Sequence, residues 1–453
     1  MPITPNTENK SAKEATTNPR APQRPGDQWI WGIFLLLCCI SLVESYSASS
    51  QEVTNYGLYR PLIKHAIFLV AGILIAYGLQ HVHYNRFKVW IPILTIITLV
   101  LAIYVMLHGE VINGARRSFT IPGVNLTLYP SEMAKLFLVA MIAWVMSKVQ
   151  MPGGGTRWSG VIVCALSVLI FGGLFFQQGF TNTAILMAIS MAMMLIGGIQ
   201  LRRFVIVLAF YGLIFVGYRA YDKYVEEHQA VFSEFVETTT DEAAGDRINT
   251  ENKRFESIDR SDTRNLRMAR FDFSEDSCLH HPMTSLYHQE QYGYMARANG
   301  GVFGVMPGNS RERSRLPLAF SDYMFSIIIE ELGLVGGIFL LILYLALLGR
   351  AGSIAKRCKR AFPALLIMGM AVMITVQALS HMAINCGLVP VTGQPLPFIS
   401  KGGSSILLMS MAIGVMLSVS RYAEYSSNKQ QQSRQALVES GDEKEALNPA
   451  QAG

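Results

Sequence analysis

The sequence predicts an all-α polytopic membrane protein, and three observations carry that prediction. Of 453 residues, 51% are hydrophobic and only 15% charged, whereas charged residues make up about a quarter of an ordinary soluble domain. Apolar runs of about 20 residues, enough to cross a hydrocarbon core of about 30 Å, recur between residues 29 and 420. The short polar connections between these runs concentrate their basic residues on alternate sides.

Ten spans follow, at about 29–47, 61–80, 88–108, 130–149, 158–176, 182–200, 204–220, 322–349, 361–385 and 403–420. Arg86, Lys88, Lys148, Arg157, Arg202, Arg203 and the cluster from Arg350 to Arg360 all fall on one side. The other side offers mainly Arg60, Arg116, Arg117 and Lys401. The positive-inside rule then places both termini in the cytoplasm. The polar start, rich in Pro, Asn, Thr and Lys, does not read as a cleavable signal. Tails at 1–28 and 422–453 are expected to be disordered, flanking one membrane domain at 29–421.

Two segments break the pattern. The connection at 221–321 is far longer than ordinary loops, which points to function. Its first half mixes charges, its second half is aromatic and glycine-rich, and short helices are expected around 287–305. The stretch NCGLVPVTGQPLPFISKGG (385–403) holds three prolines and four glycines between two spans. Irregular backbone survives at membrane depth only where protein or a wet cavity satisfies it, so this stretch is expected to wall a cavity on the outer side. The six cysteines do not form a disulfide pattern. The net charge of +6 sits in loops that meet anionic head groups rather than forming a nucleic-acid surface.

Carboxylates near apolar helices are costly and mark functional sites by default. Asp322 stands at the start of a span, at head-group level, and is the leading catalytic candidate; a carboxylate complementing a helix dipole is the structural alternative. Glu330 and Glu331 lie deeper, and Glu330 is favoured for the site while Glu331 is expected to pair with another helix. In NGARRSF (113–119), Arg116 and Arg117 could form a fork for a diphosphate. In YPSEMAK (129–135), Pro130 and Glu132 mark a helix start, and Lys135 shares a face with Glu132, so an ion pair competes with substrate binding. Lys401, beside Gly402 and Gly403, offers a further cation at a helix N-terminus, with Ser404 next to it. The group Cys278, His280, His281 and His288 has poor zinc spacing, and His381 reads as a hydrogen-bonded bundle residue.

Taken together, NGARRSF, YPSEMAK, GNSRERSRLPLAFSDYMFSIIIEELGLVGG and GLVPVTGQPLPFISKGGSS resemble, in order, motifs of the SEDS family (shape, elongation, division and sporulation), the FtsW/RodA group. The resemblance covers roughly residues 29–421 and places the family's essential aspartate on Asp322. It implies ten helices, cytoplasmic termini and polymerisation of lipid II at the outer face of the inner membrane, with undecaprenyl diphosphate as leaving group. Arg116, Arg117, Glu132, Lys135, Glu330, Lys401 and Ser404 are the expected substrate contacts, and a divalent cation (Mg or Mn) but no organic cofactor is expected. A class B penicillin-binding protein and other divisome membrane proteins are the implied partners. The long tails and outer loop fit the division-type branch. Departures stand at Leu318 and Phe320, where the family has Glu and His, in QGFTNT (178–183), which lacks the family's aspartate, and at Gln394 and Lys401, where Ile and Tyr are common. A lipid flippase and a non-catalytic division scaffold are the competing functions.

Overall fold

The computed structural model describes residues 26–48, 60–112, 115–121, 126–151, 155–176, 179–214, 216–217, 220, 288–316, 321–389 and 393–439. Cys278, His280, His281 and most of the 221–321 loop lie outside them, while His288, the fourth residue of that poorly spaced group, starts a helix. So do Leu318 and Phe320.

The chain folds as a helical bundle. Its first helices are α1 (Gln28–Ala48), α2 (Arg60–Gln80) and α3 (Tyr84–His108). Then come α4 (Pro130–Val149), α5 (Trp158–Phe176), α6 (Phe180–Ile196) and α7 (201–214). After the long loop follow α8 (His288–Gly300), α9 (Met324–Arg357), α10 (Ala361–Asn385) and α11 (Gly403–Glu439). Among the described residues, seven helices are long and apolar enough to cross a membrane: α1, α2, α3, α5, α9, α10 and the Gly403–Tyr422 part of α11. The other three predicted spans coincide with α4, which carries Glu132, Lys135 and Lys148, with the 17-residue α6, and with α7.

Local signals set the ends. Asp27 caps α1, its Oδ1 accepting from the Trp29 and Ile30 amides at 3.0 and 3.2 Å. The same carboxylate pairs with Arg350 of α9 at 2.5 Å, and the Asp27 amide donates to Ser420 of α11. Pro130 at the first position of α4 and Glu132 in its first turn are the start the sequence predicts. The expected loop between α3 and α4 is instead a three-stranded antiparallel sheet, β1 (Glu110–Ile112), β2 (Ala115–Ile121) and β3 (Leu126–Leu128). The period-two alternation Ser118, Phe119, Thr120, Ile121 is the signal for it.

α10 and α11 form the centre of the bundle, with 78% and 83% of their apolar windows buried against 22% for α2. Exposed Val70, Leu74, Ile96 and Val100 on α2 and α3 give those helices an outward apolar face suited to hydrocarbon.

α9 is broken at Gly333, whose φ of 73° and ψ of −175° interrupt the helix. The span predicted at 322–349 is therefore two helical pieces, and its first piece begins at Met324 rather than Asp322. The break frees backbone groups, and residues 301–306 satisfy them. The Val305 and Met306 amides donate to Glu330 and Glu331 carbonyls at 3.0 and 2.9 Å, while Leu334 and Val335 donate to Gly301 and Val302 at 3.0 and 3.2 Å. This pairing brings the Val302 carbonyl so close that Gly333 has no room for a side chain. Gly333→Ala combines a disfavoured φ with that collision and is expected to destabilise the protein by about 2 kcal/mol or more. Thermal unfolding of the purified protein in detergent checks this; an unchanged midpoint would show that the break does not require glycine.

Candidate active site

Asp322 lies in a turn two residues before α9, half-buried, and the first turn of that helix holds no acidic residue. The helix-cap reading of Asp322 therefore fails. Ser321, expected as the N-cap, instead donates its hydroxyl to Asp322 Oδ1 at 2.9 Å. The N-cap residue is Tyr323, whose side chain makes no cap bond. Asn385, at the far end of α10, supplies one in trans: its Oδ1 accepts from the Ser326 amide at 3.2 Å and from the Ser326 hydroxyl at 2.9 Å. Its Nδ2 donates to the Asp322 carbonyl at 3.0 Å. One amide side chain thus starts α9 and fixes the backbone that carries the carboxylate.

The irregular stretch 393–402 faces this turn. A Cβ built on Gly393 would lie 3.3 Å from Asp322 Oδ2, so glycine leaves the carboxylate room. The Ser400 hydroxyl accepts from the Leu396 amide and donates to the Ser321 carbonyl, both at 2.9 Å. Helices supply donors to the other carbonyls of the stretch. His381 donates from Nδ1 to Gln394 O at 2.7 Å, which leaves Nε2 as the acceptor facing Asn385. Gln377 reaches Pro395 O at 3.3 Å, Tyr344 reaches Pro397 O at 2.6 Å and Ser41 reaches Phe398 O at 2.8 Å. Phe398 itself has a φ of 67°, a strained value for a bulky residue that these bonds hold in place. With its hydroxyl proton committed to Phe398, Ser41 receives a bond from His65 Nε2 at 2.7 Å.

Gln377, His381 and Asn385 are spaced by four and form one polar stripe on α10. The stripe leads from Asp322 to a buried ion pair, Lys135 Nζ to Glu132 Oε1 at 2.6 Å. Lys135 is fully buried, and its remaining donors reach Gln394 Oε1 at 2.9 Å and Gln377 Oε1 at 3.4 Å. Three acceptors thus surround the three ammonium protons of Lys135. Gln394 completes the set by donating to Asn182 Oδ1 at 2.7 Å. Deeper along α4, buried Leu138, Val139, Ile142, Ala143 and Met146 continue the helix without polar groups.

Glu330 is fully buried, and its oxygens accept from the Ser310 hydroxyl, the Arg311 amide at 3.1 Å and Asn299 at 3.4 Å, which ties it to the GNSR turn. Glu331 meets another helix, as expected: it accepts from Ser47 of α1, which also takes a bond from Arg313 at 3.0 Å. Among the described residues, both oxygens of buried Glu44, and Glu331 Oε2, have no hydrogen-bond partner, a costly burial of carboxyl oxygens at this end of α1. Arg116 and Arg117 lie on β2, and their side chains are outside the described residues. Lys401, half-buried, directly follows the Ser400 that touches Ser321, while Ser404 is buried in the first turn of α11. Among the described residues no group of three His, Cys, Asp or Glu gathers to hold a metal ion.

Removing the Lys135 ammonium strands a buried carboxylate, so Lys135→Met is expected to cost about 3–5 kcal/mol. Adding Glu132→Gln should return a large part of it. Chemical unfolding of both variants in detergent tests the pair, and equal stability of single and double variants would contradict it.

Comparison with known proteins places these motifs. A curated relative from Bacillus subtilis, named probable peptidoglycan glycosyltransferase FtsW, is 26% identical over 91% of this chain and 94% of its own. The stage V sporulation protein E of the same organism is 29% identical, covering 87% of this chain and 96% of its own. Among solved structures, a chain of a peptidoglycan synthase complex that coordinates polymerization and crosslinking superposes with a TM-score of 0.63. It is 22% identical and covers 88% of this chain and 98% of its own. Thermus thermophilus RodA superposes with a TM-score of 0.57 at 21% identity, over 87% and 97% of the two chains. At such identities the superpositions speak for the fold alone. The FtsW, RodA and SpoVE family model, described as that of cell cycle proteins, matches residues 27–248 and 263–425, and the chain belongs to that family.

Proposed function

We propose that this chain is a peptidoglycan glycosyltransferase of cell division that joins lipid II units at the outer face of the cytoplasmic membrane. The names of its relatives support the activity. The observation that carries the site is the Asp322 carboxylate, held on a non-helical turn and bordered by Gly393. In the proposed orientation ten spans place both termini in the cytoplasm and Asp322 at the outer surface, where diphosphate-linked sugars lie.

The proposed step is inverting transfer. The acceptor's GlcNAc 4-hydroxyl attacks the anomeric carbon of the donor's MurNAc as Asp322 takes the hydroxyl proton. The glycosidic bond forms, the bond to the diphosphate breaks, and undecaprenyl diphosphate leaves with its negative charge. Arg116, Arg117 and Lys401 are the cations assigned to that charge. Asn385 positions Asp322 through its backbone, and the Glu132–Lys135 pair stiffens the wall behind it. The relatedness to a peptidoglycan synthase complex supports a class B penicillin-binding protein as crosslinking partner.

A flippase needs polar groups to continue across the bundle. The path from Asp322 reaches Lys135, and the buried residues beyond it on α4 are apolar, which favours the polymerase.

With purified protein and lipid II, Asp322→Asn is expected to lower polymer formation about 1,000-fold while leaving the unfolding midpoint near that of the parent. Polymer from this variant at the parent's rate would remove Asp322 from the reaction, and transport of labelled lipid II without polymer would favour the flippase. Asn385→Ala, which frees the turn without touching the carboxylate, is expected to lower kcat by about 10-fold or more with the pH profile unchanged. A kcat equal to the parent's would show that Asn385 only caps α9.

A further inference from the structure

The end of the bundle remote from Asp322 carries a second polar site. α10 runs from Ala361 to Asn385, 25 residues or about 37 Å at 1.5 Å per residue, and Asn385 touches Asp322. At its other end a cavity of about 210 Å³ opens between the start of α3, the end of α4 and the start of α10. Lys88, Lys148 and Arg360 line it, together with Trp144, Ser147 and Phe362. The Lys148 ammonium sits 3.7 Å from the centre of the Trp144 ring, and that of Lys88 lies 5.0 Å from the centre of the Phe362 ring.

Three cations converge here without a carboxylate: among the described residues none forms an ion pair with Lys88, Lys148 or Arg360. Like charges brought together repel unless an anion joins them. Arg360 is also the N-cap of α10, so the uncapped first amides of that helix add to the positive end. The same field is felt nearby, where burial and then Arg360, Arg86 and Lys88 hold the His83 imidazole below its ordinary pKa. The rest of the surroundings is lipid-facing. Val89 and Trp90, next to Lys88, are 65% and 57% exposed, and Ile93 one turn on is also exposed. Trp144, half-buried at the same level, is a residue type enriched at membrane interfaces.

We infer that this cavity binds the phosphate head group of an anionic phospholipid, in the leaflet remote from Asp322, with Lys88, Lys148 and Arg360 around the phosphate and the acyl chains along α3. The phosphate chemistry alone would admit a free anion, but a free anion has no use for the apolar face of α3. The site is independent of the reaction at Asp322, and with the orientation proposed above it faces the cytoplasm.

The test uses the full chain, purified and delipidated in detergent. Its thermal midpoint and lipid occupancy by native mass spectrometry are followed with phosphatidylglycerol, phosphatidylethanolamine or inorganic phosphate. Phosphatidylglycerol should bind and raise the midpoint, and the other two should not. Each basic residue near a head group contributes about a factor of five in affinity. The triple variant Lys88→Gln/Lys148→Gln/Arg360→Gln should therefore bind phosphatidylglycerol roughly 100-fold more weakly. Lys148→Gln alone, at an exposed position, should lose about 5-fold and stands in should the triple variant fail to fold. A control of equal charge change on the same face, Arg202→Gln/Lys356→Gln/Lys359→Gln, should keep the parental affinity. Undiminished binding in the triple variant, or in Lys148→Gln where that variant stands in, would overturn the inference. An equal loss in the control, or equal binding of phosphatidylethanolamine, would do the same. Stabilisation by inorganic phosphate to the same extent would overturn the lipid assignment.

Discussion

The arrangement depends on one requirement: backbone carbonyls that leave helical geometry inside a bilayer must find donors in the protein. Residues 394–398 leave it completely, and each of their carbonyls has a partner. Gln394, Pro395, Pro397 and Phe398 accept from His381, Gln377, Tyr344 and Ser41, and Leu396 accepts from the Ile399 and Ser400 amides. Three helices, α1, α9 and α10, thus hang a non-repetitive segment against Asp322. Two prolines in the stretch, at 395 and 397, have no N–H to satisfy, which lowers the demand further. A wall made this way is stiff where it carries Gly393, and stiffness beside a reacting carboxylate is what positioning requires.

The break in α9 obeys the same rule from the other direction. Carbonyls of Glu330 and Glu331 and amides of Leu334 and Val335 are freed at Gly333, and the 301–306 segment closes on all four. That closure brings the GNSR turn over the Glu330 side chain, which then spends its oxygens on Ser310, Arg311 and Asn299. Two carboxylates eight residues apart end with opposite duties. Asp322 stays at the rim in a turn, and Glu330 is fully enclosed.

Much of this was legible in the residues. Span positions followed from apolar length, and the ends of α4, α5 and α10 agree with the predicted ones because Pro130, Trp158 and Asn385 stand at real boundaries. The Pro- and Gly-rich stretch at 385–403 announced itself by composition. Asp322 stands out in the sequence as a carboxylate placed just outside an apolar run, and the structure sets it in a turn before a helix that begins at Met324. Nothing local marks Gly333 as a break, since a lone glycine in a span is common; only the pairing with 301–306 explains it. The burial and the partners of Lys135, Glu132 and Glu330 are tertiary facts that the sequence does not display. The stripe Gln377, His381, Asn385 was visible at four-residue spacing in an apolar helix, yet only His381 was weighed, and it was weighed alone.

One departure from the family motifs, Gln394, is accounted for by its hydrogen bonds beside the same stripe. Gln394 stands where Ile is common, and Asn182 lies in the segment that lacks the family's aspartate. An isolated Gln in that position would bury a polar amide at a cost. Here its oxygen accepts a hydrogen bond from Lys135 and its nitrogen donates to Asn182, so the amide is satisfied on both sides. Lys135 gains a third acceptor that an apolar residue could not give, and the buried ammonium is held by one carboxylate and two amides rather than by charge pairing alone. A buried ion pair is only as good as the hydrogen bonds around it, and this chain has strengthened that surrounding set. The substitution is therefore coherent with an intact wall behind Asp322: the polar chain that begins at the Asp322 carbonyl passes through Asn385, His381 and Gln394 and ends on Lys135 and Asn182.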